Sequence, residues 1–265
     1  MICTNAPWPG HQEGQAFERF FALTKQAGFD GVHLWWDAFD DGQDYRRQPE
    51  LARRAGLYVE NLHAPFDDIN GIWEDTAAGQ AVFELYLRCV DDCAAFGVPA
   101  MVMHPSRGRQ HPQPNQLGLE RFRRIVDRAE RSGVNVTIEN IFSQPKIECA
   151  SWLLEEIASP RFGFCFDAGH FNIFANDMLA RFGHRLMALH LHDNDGAHDQ
   201  HRLPFDGNAD WPALMRAVAE TGYEGPTSLE IKADPQWYGA LSPEEFAILA
   251  YERAARLDKL RQDAL

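Results

Sequence analysis

The chain alternates short apolar runs with amphipathic stretches, and most of the apolar runs stop at a residue that packing alone would not select. Phe164-Cys165-Phe166-Asp167-Ala168-Gly169-His170 shows the pattern. An apolar run without polar alternation predicts a parallel strand covered on both faces, and Asp167 at its end reads either as a cap for the next helix or as a ligand. The same grammar recurs. Met1 to Thr4 reads as strand one, Ala6-Pro7-Trp8-Pro9-Gly10 as a loop, and Phe17, Phe20, Phe21 and Thr24 as one helix face that stops at Gly28. Gly31 to Trp36 is strand two, Arg46 to Ala55 a helix, and Leu57 to Leu62 strand three, running into His63. A helix from Trp73 to Phe96 precedes strand Ala100 to Met103, which meets His104. Helix Leu117 to Arg131 is followed by strand Val134 to Ile138, ending at Glu139-Asn140, and then by helix Ile147 to Ala158. Beyond strand six come a helix at Asp177 to Phe182, strand Leu186 to Leu189 ending at His190-Leu191-His192-Asp193, helix Trp211 to Thr221, strand Thr227 to Leu229 ending at Glu230, and helix Pro243 to Leu260. Strict alternation demands a parallel sheet, and the fold expected is an α/β protein, a single (β/α)8 TIM barrel over residues 1–265. A doubly wound open sheet is the alternative, but it leaves chemistry at so many strand ends unexplained.

Strands three to eight therefore end in His63, His104, Glu139, Asp167, His190 and Glu230. A single histidine at a strand end reads best as a core residue. Imidazoles and carboxylates at successive strand ends, where a barrel builds its active site, read as a ligand set. Mixed nitrogen and oxygen donors suit a divalent ion such as Zn, Mn, Co or Fe better than Mg or Ca. His170, and Asp199 with His201 in the aperiodic segment Asn194 to Asn208, extend the set. His192 competes with His190 for the strand-seven role, and the H-x-x-D register favours His190. Cys89 and Cys93 read as core, not as ligands, and His33 reads equally well as packed or as a substrate contact. The loop from Ser106 to Pro114 carries Arg107, Arg109 and His111.

Composition narrows the function classes. The 265 residues are 45% hydrophobic and 24% charged, an ordinary globular balance, with a formal charge of -14. That charge disfavours nucleic acid and anionic membrane as partners. Five cysteines with no C-x-x-C pair point to reduced, buried thiols, and neither a signal-peptide pattern nor a membrane-length apolar run is present, so a cytoplasmic location is expected. A homo-oligomer is left open.

With the strand-end residues in place, the Asp167-x-x-His170 and His190-x-x-Asp193 pairs and the Glu139 and Glu230 strand ends, the chain resembles the xylose isomerase-like TIM barrels. This is the apurinic endonuclease family 2 superfamily, which includes endonuclease IV and D-tagatose 3-epimerase. In its epimerase branch the resemblance implies one divalent metal on Glu139, Asp167, His190 and Glu230, with the two glutamates as acid and base. In its endonuclease branch it implies His63 and His104 joining Glu139 on a second metal, and His170, Asp199 and His201 on a third. One to three metal ions per chain are thus expected. The leading reading is a metal-dependent sugar isomerase or epimerase working through an enediolate. His170 and Arg202 would bind substrate oxygens, with Trp8, Trp35, Trp36 and Phe66 as apolar walls. A multinuclear phosphodiesterase and a dehydratase on the same barrel are the alternatives. A Gly-rich phosphate cradle after strands seven or eight is missing from the sequence, so a phosphorylated substrate is not expected.

Overall fold

The computed structural model describes residues 1–6, 17–36, 45–108 and 112–265. Trp8, Arg109 and His111 lie outside these residues. The strands are β1 (Ile2–Asn5), β2 (Gly31–Trp35), β3 (Tyr58–His63), β4 (Ala100–Met103), β5 (Asn135–Glu139), β6 (Phe162–Asp167), β7 (Leu186–His190) and β8 (Thr227–Leu229). The helices are α1 (Phe17–Ala27), α2 (Gln48–Arg54), α3 (Ala77–Ala95), α4 (Gln116–Ser132), α5 (Gln144–Glu156), α6 (Ala168–Ile173), α7 (Met178–Phe182), α8 (Trp211–Glu220), α9 (Pro235–Tyr238) and α10 (Pro243–Gln262). All strand pairs are parallel, in the order β7-β6-β5-β4-β3-β2-β1-β8. The remaining seam is bridged between Leu191 and Leu229, just past β7. This is a (β/α)8 TIM barrel.

Side-chain alternation along each strand explains what reaches the mouth. Phe162, Phe164 and Phe166 pack outward into the layer shared with the helices, whereas Cys165 meets Val102 and Ala188 inside the barrel. Two residues further along the same strands, the same parity turns His104, Asp167 and His190 inward above that layer. Cys89 and Cys93 are buried on the core face of α3, as their spacing predicts. No helix among the described residues is long and apolar enough to cross a membrane.

The short helix α9 was not expected from the sequence, and two elements nearer the site also differ. The helix expected from Trp73 begins instead at Ala77, because Thr76 caps it, accepting from the Gly79 N–H at 3.0 Å. The preceding turn packs so closely that a Cβ on Gly79 would lie 2.3 Å from the Glu74 carbonyl oxygen. The helical turn Ala168–Ile173 after Asp167 was not anticipated, and Asp167 is its N-cap.

Candidate metal centre

Glu139, at the end of β5, is the centre of the cluster. It is 1% exposed, with Oε2 3.5 Å from His63 Nε2, 3.6 Å from His104 Nε2 and 3.1 Å from His190 Nδ1. Its Oε1 lies 3.1 Å from His170 Nδ1. His190 Nδ1 also lies 3.4 Å from Glu230 Oε2. Donor atoms of Glu139, Asp167, His190 and Glu230 all fall within 4.8 Å of one another. His192 reaches Asp167 at 3.2 Å and stacks on His201 with centroids 4.0 Å apart. Both strand-seven imidazoles therefore meet the carboxylates, and His190 is the one in the four-donor group. Asp199 sits between His170 and His201, 3.5 Å and 3.3 Å from their Nε2 atoms.

The donor set fits a divalent cation on its own geometry. Despite their proximity, His190 Nδ1 and Glu139 Oε2 make no hydrogen bond among the described residues, so buried polar atoms converge without pairing with one another. The outer ring atoms are held as in metal sites. Nδ1 of His63 bonds the Ala64 carbonyl, that of His170 the Asn140 carbonyl and that of His201 the Glu230 carbonyl, each at 2.9 Å. A proton on Nδ1 satisfies each bond, and in His63 and His201, whose burial favours the neutral ring, it leaves the Nε2 lone pair free for an ion. His201 holds this pose at φ 47°, a left-handed conformation that costs on the order of 1–2 kcal/mol.

Electrostatics divides the two glutamates. Burial opposes ionisation of Glu139, but the imidazoles of His190, His104 and His170 outweigh it and hold its carboxyl well below the usual range. Burial, aided by the charges of Glu139 and Asp167 against the pull of His190, pushes Glu230 up to about 8. His170 is held well above its ordinary value by Asp167, Asp199 and Glu139, overcoming a burial term of opposite sign.

The cluster forms the floor of a cavity of about 800 Å³. Trp35 and Phe66 wall it: Trp35 lies over His63 at 4.6 Å and Phe66 stacks on His104 at 4.5 Å. Three expected contacts are elsewhere. Trp36 faces away, packing on Phe96 and donating Nε1 to Asp92 at 2.9 Å. Arg202 does not line the cavity; its guanidinium lies 4.2 Å from the Trp237 ring centroid and donates to the Asp206 carbonyl. Its loop is drawn that way because buried Asp193 collects the Phe205 N–H and Trp211 Nε1–H on Oδ2 and the Ala209 N–H on Oδ1. The aspartate of the His190-x-x-Asp193 pair is thus a loop anchor. His33 is a packed residue beneath the site, stacked on His190 at 4.8 Å with Nδ1 3.3 Å from Ser228 Oγ.

Two supports escaped the sequence reading. Asn140 locks β5 to β6, donating Nδ2 to the Asp167 carbonyl and accepting the Asp167 N–H on Oδ1, both at 2.8 Å. Gly169 leaves room for His192, whose ring a Cβ would meet at 1.9 Å. A polar residue directly after a candidate ligand, and a glycine between two of them, were the available signals.

A (β/α)8 barrel with a buried cluster of nitrogen and oxygen donors at its C-terminal mouth defines the class. The profile of the xylose isomerase-like TIM barrel family matches residues 21–252, and the chain belongs to that family. It is 28% identical to the fructoselysine 3-epimerase of Shigella flexneri over 92% of this chain and 96% of that one. Among solved structures it resembles an L-ribulose 3-epimerase (TM-score 0.76, 18% identity, 99% of this chain and 96% of that one). It also resembles an IolI protein solved with a zinc atom (TM-score 0.77, 16% identity, 100% and 99% covered).

Proposed function

We propose that the protein is a divalent-metal-dependent isomerase or epimerase of a small sugar or related polyhydroxy carbonyl compound. The observation that carries this reading is the pair Glu139 and Glu230, both lining a sugar-sized cavity and grouped with the buried Asp167 and His190 closely enough to share one ion. The epimerase relatives support it. Glu139, Asp167, His190 and Glu230 would hold the ion, which, when bound, polarises a substrate carbonyl and makes the neighbouring C–H acidic. One of Glu139 and Glu230 removes the proton from the carbon beside the carbonyl and the other, from the far side of the substrate, returns one, in the case of an epimerase to the opposite face. His170 donates to a substrate oxygen, and Trp35 and Phe66 pack against the C–H faces of the chain.

Glu139→Gln tests the reading. With metal-loaded protein in D2O and a ketose such as D-fructose or D-tagatose, the wild type incorporates deuterium beside the carbonyl and the variant does not. Exchange retained by the variant overturns the two-glutamate assignment. A second reading, a multinuclear hydrolase, is favoured by one observation: His63 and His104 beside Glu139, and His170 and His201 around Asp199, offer donors beyond those one ion needs. Two or three metal equivalents per chain, falling in His201→Ala, would support that reading; a single equivalent unaffected by the substitution would not.

A further inference from the structure

The cavity above the carboxylates carries positive charge that neither the metal ligands nor the proton transfers use. Lys146 lies in the first turn of α5, seven residues beyond Glu139, and its side chain lines the cavity. The residue is only 7% exposed. Its ammonium stands 5.3 Å from the Phe142 ring centroid, and no carboxylate forms an ion pair with it among the described residues. In a chain with 39 acidic and 25 basic residues, an unpaired, buried lysine stands out, because desolvating an ammonium without a counter-ion is costly and a cation–π contact offsets little of that cost. Burial alone pulls its pKa below the ordinary lysine value.

Its neighbours strengthen the contrast. Arg107 lines the same cavity but is half exposed and ion-paired to Asp67. Lys232 lines it from the segment after β8, adding positive charge beside His201. The acidic residues of the lining are Glu139, Asp199 and Glu230, each already surrounded by imidazoles. Once the floor is neutralised by those imidazoles and a divalent ion, the upper cavity is left cationic, and among the described residues Lys146 is the member of it with no carboxylate in ion-pair range. A neutral sugar would leave that charge buried and uncompensated; a carboxylate or phosphate would pair it.

We infer that the substrate is an anionic polyhydroxy carbonyl compound, a sugar acid or sugar phosphate, and that Lys146 binds its anionic group. This inference rests on the isomerase reading for the rest of the substrate, and the two fail separately. The test is calorimetric titration of the metal-loaded protein with D-fructose, D-fructuronate and D-fructose 6-phosphate, in wild type, Lys146→Met and Lys146→Arg. At least one anionic ketose binds about tenfold or more tightly than fructose, as a charge-assisted hydrogen bond implies. Lys146→Met removes that preference without changing fructose binding, and Lys146→Arg restores most of it. Preference for fructuronate alone identifies a carboxylate, for fructose 6-phosphate alone a phosphate. Failure of both anionic ketoses to bind more tightly than fructose, or an equal loss for all three in Lys146→Met, overturns the inference. Deuterium exchange in the same samples separates the two readings. Lysine-dependent tight binding without exchange overturns the isomerase reading and keeps the Lys146 assignment, whereas exchange in fructose with neither anionic ketose bound more tightly does the reverse.

Discussion

Asp167 accepts the main-chain N–H of His170 on Oδ1 at 2.6 Å, so the carboxylate that ends β6 also starts the helical turn carrying the next candidate ligand. The cap and ligand roles are not alternatives, because a carboxylate has two oxygens and only Oδ1 takes the cap bond, while both lie 3.2 Å from His192 Nε2. The roles separate by substitution. Asp167→Asn keeps an oxygen for the cap and loses the charge, while Asp167→Ala loses both. In chelator, Asp167→Ala unfolds at about 1 kcal/mol less than Asp167→Asn, the worth of an N-cap. Both variants lose more than about tenfold in Zn affinity by competition titration. Equal stabilities would show that the cap contributes nothing.

Gly169 makes a second link within the same turn. A methyl group there would overlap the His192 ring, which is itself pinned between Asp167 and His201. Gly169→Ala is therefore expected to cost about 1–3 kcal/mol in denaturant unfolding, the usual range for overpacking. It should also shift the His192 ring resonances, and an unchanged His192 spectrum would refute the steric account.

Asn140 carries the junction between β5 and β6. Its buried amide satisfies both main-chain groups of Asp167, beyond the last β5–β6 register pair, Glu139 with Cys165. Asn140→Ala leaves a donor and an acceptor buried, for a loss of about 2–4 kcal/mol. Native-state hydrogen exchange gives the site-specific check: the Asp167 amide loses protection while the amides of β2 keep theirs. Retained protection at Asp167 would place the lock elsewhere.

The contrast between these residues shows what could be read in advance. Strand ends were legible because burial on both faces removes the polar alternation, so a His, Glu or Asp closing an apolar run stands out from its surroundings. That is how His63, His104, Glu139, Asp167, His190 and Glu230 could be grouped before any geometry was available. Arg202 was misplaced because its loop has no periodicity, and its path is set by Asp193 gathering donors up to Trp211. Trp36 was assigned to the cavity with Trp35, although adjacent strand residues point to opposite faces; the structure sends it to Asp92. Lys146 left no mark in the sequence, since only the folded arrangement reveals that a helix-start lysine lacks a carboxylate.

Glu60 supplies a prediction independent of the metal ligands. It lies on β3 below the cavity, 6% exposed, and neither carboxyl oxygen has a well-formed hydrogen bond among the described residues. Burial pushes its pKa from 4.5 up to about 7, with Ser228, His190 and Cys3 only partly offsetting the shift. The sign follows from linkage. The folded protein holds this proton to higher pH than the unfolded chain does, so the stabilising contribution is fully present below about pH 4.5 and is lost as pH rises through about 7. The shift corresponds to about 3 kcal/mol. Other buried carboxylates, Asp167 and Glu139 among them, have depressed values and slope the opposite way, so the wild-type curve alone does not isolate Glu60. The difference between Glu60→Gln and wild type does. Measured by denaturant unfolding in chelator, the glutamine variant should gain about 3 kcal/mol relative to wild type between pH 4.5 and pH 8. A difference that stays flat across that window would mean that the carboxyl ionises at the same pH in the folded and unfolded chain, and that burial does not govern its proton.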